Sequence, residues 1–198
     1  MKLWLWLVLA PAAVAGESYS FWVQPCTSDL AESAHCENGD PELAVWALQA
    51  WERAARGAIT FVKSPEEARA RIRIYWAPAN LHMYGEARPI AVDGQIGAAI
   101  YVRPDLAQLG PDIAAAGSKD RLFRHGVVYL TCLHESGHAI GLAHTANFED
   151  IMYSFQFGGD ILEYFQRYRR LLERRDQIRE CSGISKFDER RLLAIYGR

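Results

Sequence analysis

His134-Glu135-Ser136-Gly137-His138-Ala139-Ile140-Gly141-Leu142-Ala143-His144 is the stretch whose reading decides the fold. It follows an apolar run, Val127-Val128-Tyr129-Leu130, that contains no helix breaker and can open a buried helix. On that helix His134 and His138 stand four positions apart, so both imidazoles leave one face about a turn from each other. Two neutral ring nitrogens so placed can reach one tetrahedral ion at about 2.0–2.1 Å each. Glu135 lies one step round, beside such an ion rather than on it, where a carboxylate can hold a water. Gly141 is where the helix can stop, because a backbone at positive φ meets no Cβ there. The chain can then turn back and bring in His144 as a third ligand, leaving the fourth position open. Three histidines around an open position are the plan of a catalytic site, with Glu135 as its base.

A bare HExxH is a weak signal, since it arises by accident in roughly one chain of this length in a few hundred. Requiring Gly141 and His144 at their spacings makes the accident rarer by roughly several hundred-fold more. Three histidines merely hydrogen-bonded in a core, with Glu135 paired to an arginine, would not need that spacing.

The same residues resemble a known group. HExxHxxGxxH is the signature of the metzincin zinc peptidases, which carry a methionine turn beneath the metal. Asp150-Ile151-Met152-Tyr153 places Met152 eight residues after His144, a short connection similar to that of the matrixin branch. Thr145, directly after the third histidine, resembles the small hydroxyl residue of matrixins more than the Asp of adamalysins or the Glu of astacins. Phe187-Asp188-Glu189-Arg190-Arg191-Leu192-Leu193-Ala194-Ile195-Tyr196-Gly197 resembles the final helix of matrixin catalytic domains. The resemblance covers residues 40–197 and is specific around 134–153.

It implies an α+β, metzincin-like fold: a twisted mixed sheet with an N-terminal helix and an active-site helix, then a mainly helical C-terminal part. It also implies one catalytic Zn²⁺ on His134, His138 and His144, Glu135 as general base, and Met152 packed beneath the histidines without proton chemistry. Two departures limit it. Ser154 stands where matrixins usually carry a proline, and His82 alone remains of the histidines that hold their structural zinc, so that site is not carried over. Asp93, Asp105 and Asp112 are too scattered for a calcium loop of alternating oxygen ligands.

The chain has 198 residues, half of them hydrophobic, enough for one domain with a core. A formal net charge of −2 argues against a nucleic-acid partner or a strongly membrane-attracted surface. Met1-Lys2, an apolar run to Ala10, Pro11 and then Ala13-Val14-Ala15 read as a secretory signal over residues 1–15, with an uncleaved anchor as the alternative. Residues 16–198 are then one catalytic domain, its cleft lying between parts 40–144 and 145–198.

Secretion permits disulfides, and four cysteines allow three pairings. The expected bonds are Cys26–Cys36 and Cys132–Cys181, with two free buried thiols as the alternative for the second pair. A role for Cys26 as a plug on the metal lacks the PRCGxPD motif of matrixins and space for a pro-domain between residues 16 and 40.

Along the chain, Asp40-Pro41-Glu42 opens a helix that closes at Gly57, with Trp46 and Trp51 as core fillers. Ile59–Val62 and Arg71–Trp76 read as strands, the arginines of the second forming a solvated face. Residues 77–94 read as a long loop and 104–120 as a linker holding at most a helical turn. Ile96–Val102 resembles the family's edge strand above the cleft, where an extended peptide can pair. His125 and His35 are structural and surface residues. Tyr153, Phe155 and Phe157 wall a pocket suited to an apolar side chain following the scissile bond. A helix over 161–180 carries an apolar stripe and a crowd of arginines, partly neutralised by Glu163, Glu173 and Asp176.

The expectation is a secreted, monomeric zinc metalloendopeptidase acting on an extended peptide or protein, with no nucleic acid and no stable membrane insertion after signal removal. The alternative is a zinc-containing binding or scaffold module with little turnover, which would have no use for Glu135; a hydrolase of some other amide is a third reading.

Overall fold

The computed structural model describes residues 16–79 and 84–197. The strands are β1 (Glu17–Val23), β2 (Ile59–Lys63), β3 (Ile72–Trp76), β4 (Gly85–Val92) and β5 (Gln95–Val102). The helices are α1 (Ser28–Ala34), α2 (Asp40–Ala54), α3 (Pro111–Lys119), α4 (Arg121–Ala139), α5 (Ile161–Arg169) and α6 (Lys186–Tyr196). One mixed sheet has the order β2-β1-β3-β5-β4, parallel throughout except for antiparallel β4 on β5. The architecture is the α+β one expected, with a mainly helical C-terminal part.

Period-two burial explains the sheet: Ile72, Ile74 and Trp76 of β3 are buried while Arg73 and Tyr75 between them are only half-buried. Leu43, Ala47, Ala50 and Trp51 of α2 are buried, and the Trp51 indole donates to the Leu133 carbonyl of α4 at 2.8 Å. The two helices are also tied at their starts. Asp40, fully buried, accepts both terminal nitrogens of Arg124 at 2.8 Å each. Asp120 caps α4 by accepting from Leu122 and Phe123, so the helix begins six residues before its apolar run and holds His125 within it.

Several expectations are corrected. The sheet begins at β1, announced only by the short alternation Ser18-Tyr19-Ser20-Phe21, and so reaches back well before residue 40. Much of the supposed loop 77–94 is β4, turned into β5 by Asp93 and Gly94 at φ 49° and 75°; the edge strand is therefore β4, and Ile96–Val102 lies between two neighbours. Arg71 is not a solvated arginine: it is 13% exposed and donates to Ile96 O, Ser18 O and Glu17. The linker contains α3. The 161–180 helix stops at Arg169, where Arg169 pairs with Asp120 at 2.7 Å and the Tyr168 hydroxyl donates to the Cys181 carbonyl. Those tertiary ties override a helical pattern that has no internal breaker. His82 falls outside the described residues.

Cys26 and Cys36 are bonded around α1. Cys132 and Cys181 are free, against expectation: Cys132 is buried within α4, and Cys181 is anchored through its carbonyl beside the stacked rings of Tyr129 and Tyr168. Denatured but unreduced protein should therefore show two reactive thiols in a thiol titration. The double variant Cys26→Ser, Cys36→Ser should lose about 2–3 kcal/mol in denaturant unfolding, the loop-closure entropy of a short loop.

Candidate metal centre and its cleft

The last two turns of α4 carry His134, Glu135 and His138, and Ile140 ends the helix. Gly141 follows at φ 91°, its N–H donating to His138 O and that of Leu142 to Gly137 O. This bend returns His144 to the helix face. The Nε2 atom of His144 lies 3.1 Å from that of His134 and 3.0 Å from that of His138. All three nitrogens fall within 4.8 Å of one another, and they form the one such group of three or more among the described residues.

The other ring nitrogens settle what these contacts are. His134 Nδ1 donates to Ile151 O at 2.7 Å and His138 Nδ1 to Leu142 O at 2.8 Å. With the protons committed there, the Nε2 atoms of these two rings are bare acceptors, both turned toward Nε2 of His144. Burial holds His134 down to about 4 and lowers His138 and His144 from their ordinary value, so all three are neutral at pH 7. Two lone pairs turned toward a third neutral imidazole suit a cation. Their spacing is near the roughly 3.3 Å that bonds of 2.0–2.1 Å give in a tetrahedron. The donor set fits zinc.

Glu135 is nearly buried and lines the same cleft without joining the nitrogen cluster. Burial pushes its carboxyl up to about 8, with the charge of Glu86 adding to the rise; a cation at the histidines would act in the opposite sense. β4 passes directly over it. A Cβ on Gly85 would stand 2.4 Å from Glu135 Oε1.

Met152, fully buried, lies beneath the helix. Gly137 makes that seat, since a Cβ there would stand 2.4 Å from Met152 Sδ and 3.0 Å from Trp51. The chain around Met152 is stitched back to the residue after His144 by Thr145 N to Met152 O at 2.8 Å and Ser154 N to Thr145 O at 3.2 Å. Helix α6 holds this whole loop at three points. Tyr196 donates to Ile140 O, Arg191 to Ala143 O, and Asp188 Oδ2 accepts from Ile151 N at 2.7 Å.

Beside the histidines opens a cavity of about 220 Å³, with Leu130, Tyr153, Phe155, Tyr164 and Phe165 among its apolar walls. Tyr153 and Phe155 are where the sequence put them. Phe157 is not a wall and is 56% exposed. Tyr164 and Phe165 come from α5, and only the apolar stripe of that helix hinted at them. His125 sits by Glu37 and His35 by Asp105, away from the cluster. Asp93 is in a hairpin turn, Asp105 caps a short 3-10 turn and Asp112 opens α3, so they serve local structure separately.

A mixed sheet over an HExxH helix, a glycine bend that returns a third histidine, and a buried methionine turn together define a metzincin. More narrowly, the family model for matrixins matches residues 21–160, and the chain belongs to that family. No curated protein matches the chain closely enough to be reported as a relative. Matrixins are zinc metallopeptidases. The match ends before α5 and α6, although both bond to the chain between His144 and the methionine turn or just before it.

Removing the Asp188 acceptor frees the main chain on the N-terminal side of Ile151, the residue whose carbonyl orients His134. Asp188→Ala should therefore weaken zinc binding about tenfold or more in chelator competition, with circular dichroism verifying that the fold persists.

Proposed function

We propose that this protein is a secreted zinc-dependent endopeptidase, with residues 16–198 as one catalytic domain. His134, His138 and His144 hold the ion through Nε2, and Glu135 is the general base. The observation that carries the proposal is the pair of Nδ1 protons given to Ile151 O and Leu142 O, which leaves bare nitrogens converging beside an acid that is not part of the cluster.

Zinc bound there would supply Lewis acidity toward the scissile carbonyl and lower the pKa of an attacking water from about 15.7 toward 7. Glu135 accepts the proton of that water and delivers it to the departing amine nitrogen. Its buried place beneath Gly85, on the lining of the cleft, shields the carboxylate from solvent. The cavity lined by Leu130, Phe155, Tyr164 and Phe165 takes an apolar side chain on the carboxyl side of the scissile bond. The open edge of β4 offers main-chain groups to an extended peptide or protein substrate.

Secretion is supported by the leader-like residues 1–15 and by the Cys26–Cys36 bond, which belongs to an oxidising compartment. No helix among the described residues is long and apolar enough to cross a membrane. The chain is read as acting alone.

Glu135→Ala should keep one zinc per chain by metal analysis while cleavage of a denatured protein falls by about 10²–10⁴-fold. Equal inertness of wild type and variant across a broad peptide library would favour a zinc-bearing binding module instead. Gly85→Ala tests the same reading from above: the added methyl displaces the carboxylate, and kcat/KM should drop by about 10–100-fold with zinc content and melting temperature unchanged.

A further inference from the structure

The geometry points to Pro89 as the residue that ends main-chain recognition of the substrate on the amino side of the scissile bond. The inference rests on the peptidase reading above and deepens it.

β4 is the outermost strand among the described residues, and its register on β5 decides which of its main-chain groups face the cleft. Ala98 of β5 donates its N–H to Arg71 O at 2.7 Å, so its main-chain groups face β3 and not β4. Pro89 is the register partner of Ala98. A pair of that kind exchanges no hydrogen bonds, which turns the nitrogen and carbonyl of Pro89 outward. The strand's start agrees. Arg103 N donates to Tyr84 O at 2.9 Å, so residue 84 faces inward and Gly85 outward. With a period of two, Gly85, Ala87, Pro89 and Ala91 address the open edge, while Glu86, Arg88 and Ile90 address β5.

Gly85 stands over Glu135 and borders the apolar cavity. Ala87 and Pro89 also border a hollow of about 370 Å³ that runs across the sheet past Ala98 and Tyr19 to His138 and Tyr196, which places this end of β4 beside the second histidine. With the apolar cavity at Gly85 holding the residue after the scissile bond, a chain antiparallel to β4 has the residues before that bond alongside Ala87 and Pro89. From Gly85 to Pro89 the edge runs about 13 Å, roughly four residues of extended chain. Gly85 and Ala87 can each donate and accept. Pro89 can only accept, since it has no N–H. An antiparallel substrate thus meets two complete main-chain pairs and then half of one. Had the proline faced β5, the sheet itself would have lost a hydrogen bond; facing outward, it costs only an incoming strand.

The test is a series of peptides with a fixed sequence after the cleaved bond and two to seven residues before it, cut by the zinc-loaded protein. In wild type, kcat/KM should climb with length to the residue facing Ala87, gain less from the residue facing Pro89, which is offered only a carbonyl, and level off beyond it. Pro89→Ala and, as a second variant that suits a strand, Pro89→Val restore the donor. Each should raise kcat/KM by roughly three- to tenfold for the peptides that reach residue 89, the worth of one added hydrogen bond. Replacing the facing peptide carbonyl by a methylene should cancel that gain in the variants. A wild-type profile that keeps climbing past this point, or variants that gain nothing, would overturn the inference alone. If the zinc-loaded wild type cut no peptide of any length, the peptidase reading would fall and the inference with it.

Discussion

Two imidazole protons organise this molecule. A histidine can offer either nitrogen to a metal, and the choice is made by whatever the other nitrogen touches. Here both decisions are taken by main-chain carbonyls downstream of the helix: Leu142 for His138, Ile151 for His134. The bend and the methionine turn are therefore parts of the site and not simply its connections. Leu142 does two jobs, since its N–H closes the helix end on Gly137 O while its carbonyl sets the tautomer of His138. Gly137 is as constrained as the histidines, because Met152 occupies the space a side chain would need.

The supporting elements follow from the need to hold those two carbonyls still. Ile151 is gripped from α6 by Asp188, while the Tyr164 hydroxyl of α5 donates to the neighbouring Asp150 carbonyl. On the other side, Trp51 fastens α2 to the Leu133 carbonyl, one residue before the first histidine. A metal site tolerates little slack, and a ring that swings loses ligand geometry before it loses the fold. The residues past 160 that the family match does not reach are thus close to the chemistry even though they hold no ligand.

Sequence alone exposed the site far better than the scaffold. HExxH, Gly141 and His144 are local in the chain and carry their geometry in their spacing, so the three histidines could be placed together without knowing the sheet. Helices α2 and α6 were legible because capping residues and apolar periodicity agree in them. β4 was not, because Pro89 and Gly85 resemble loop residues; the Asp93-Gly94 pair that turns β4 into β5 is the one hairpin signal the stretch carries. β1 hid behind the leader. The length of α5 could not be read from 161–180, since what stops it is contact with Asp120 and Cys181, residues distant from or beyond its own pattern. The Cys132–Cys181 pairing failed for a related reason: facing direction along one helix says nothing about what fills the space opposite.

Helix α6 shows what the arrangement costs. Asp150 and Asp188 are both fully buried and share the Ser185 hydroxyl, at 2.6 and 3.0 Å. Burial and the neighbouring Asp150 raise the Asp188 carboxyl above its ordinary value, which is an unfavourable place for a charge. A core built only for stability would hold apolar residues there. The acid persists against that penalty because Ile151 N–H needs an acceptor where no strand or helix can supply one, and because the next peptide unit, across the Ile151 Cα, presents the Ile151 carbonyl to His134. Arg191, 3.8 Å from Asp188 and bonded to the Ala143 carbonyl, offsets part of the charge while steadying the approach to His144. The least comfortable residues in the C-terminal part are thus those that fix the orientation of the rings, and the geometry of the centre is maintained at the expense of the core behind it.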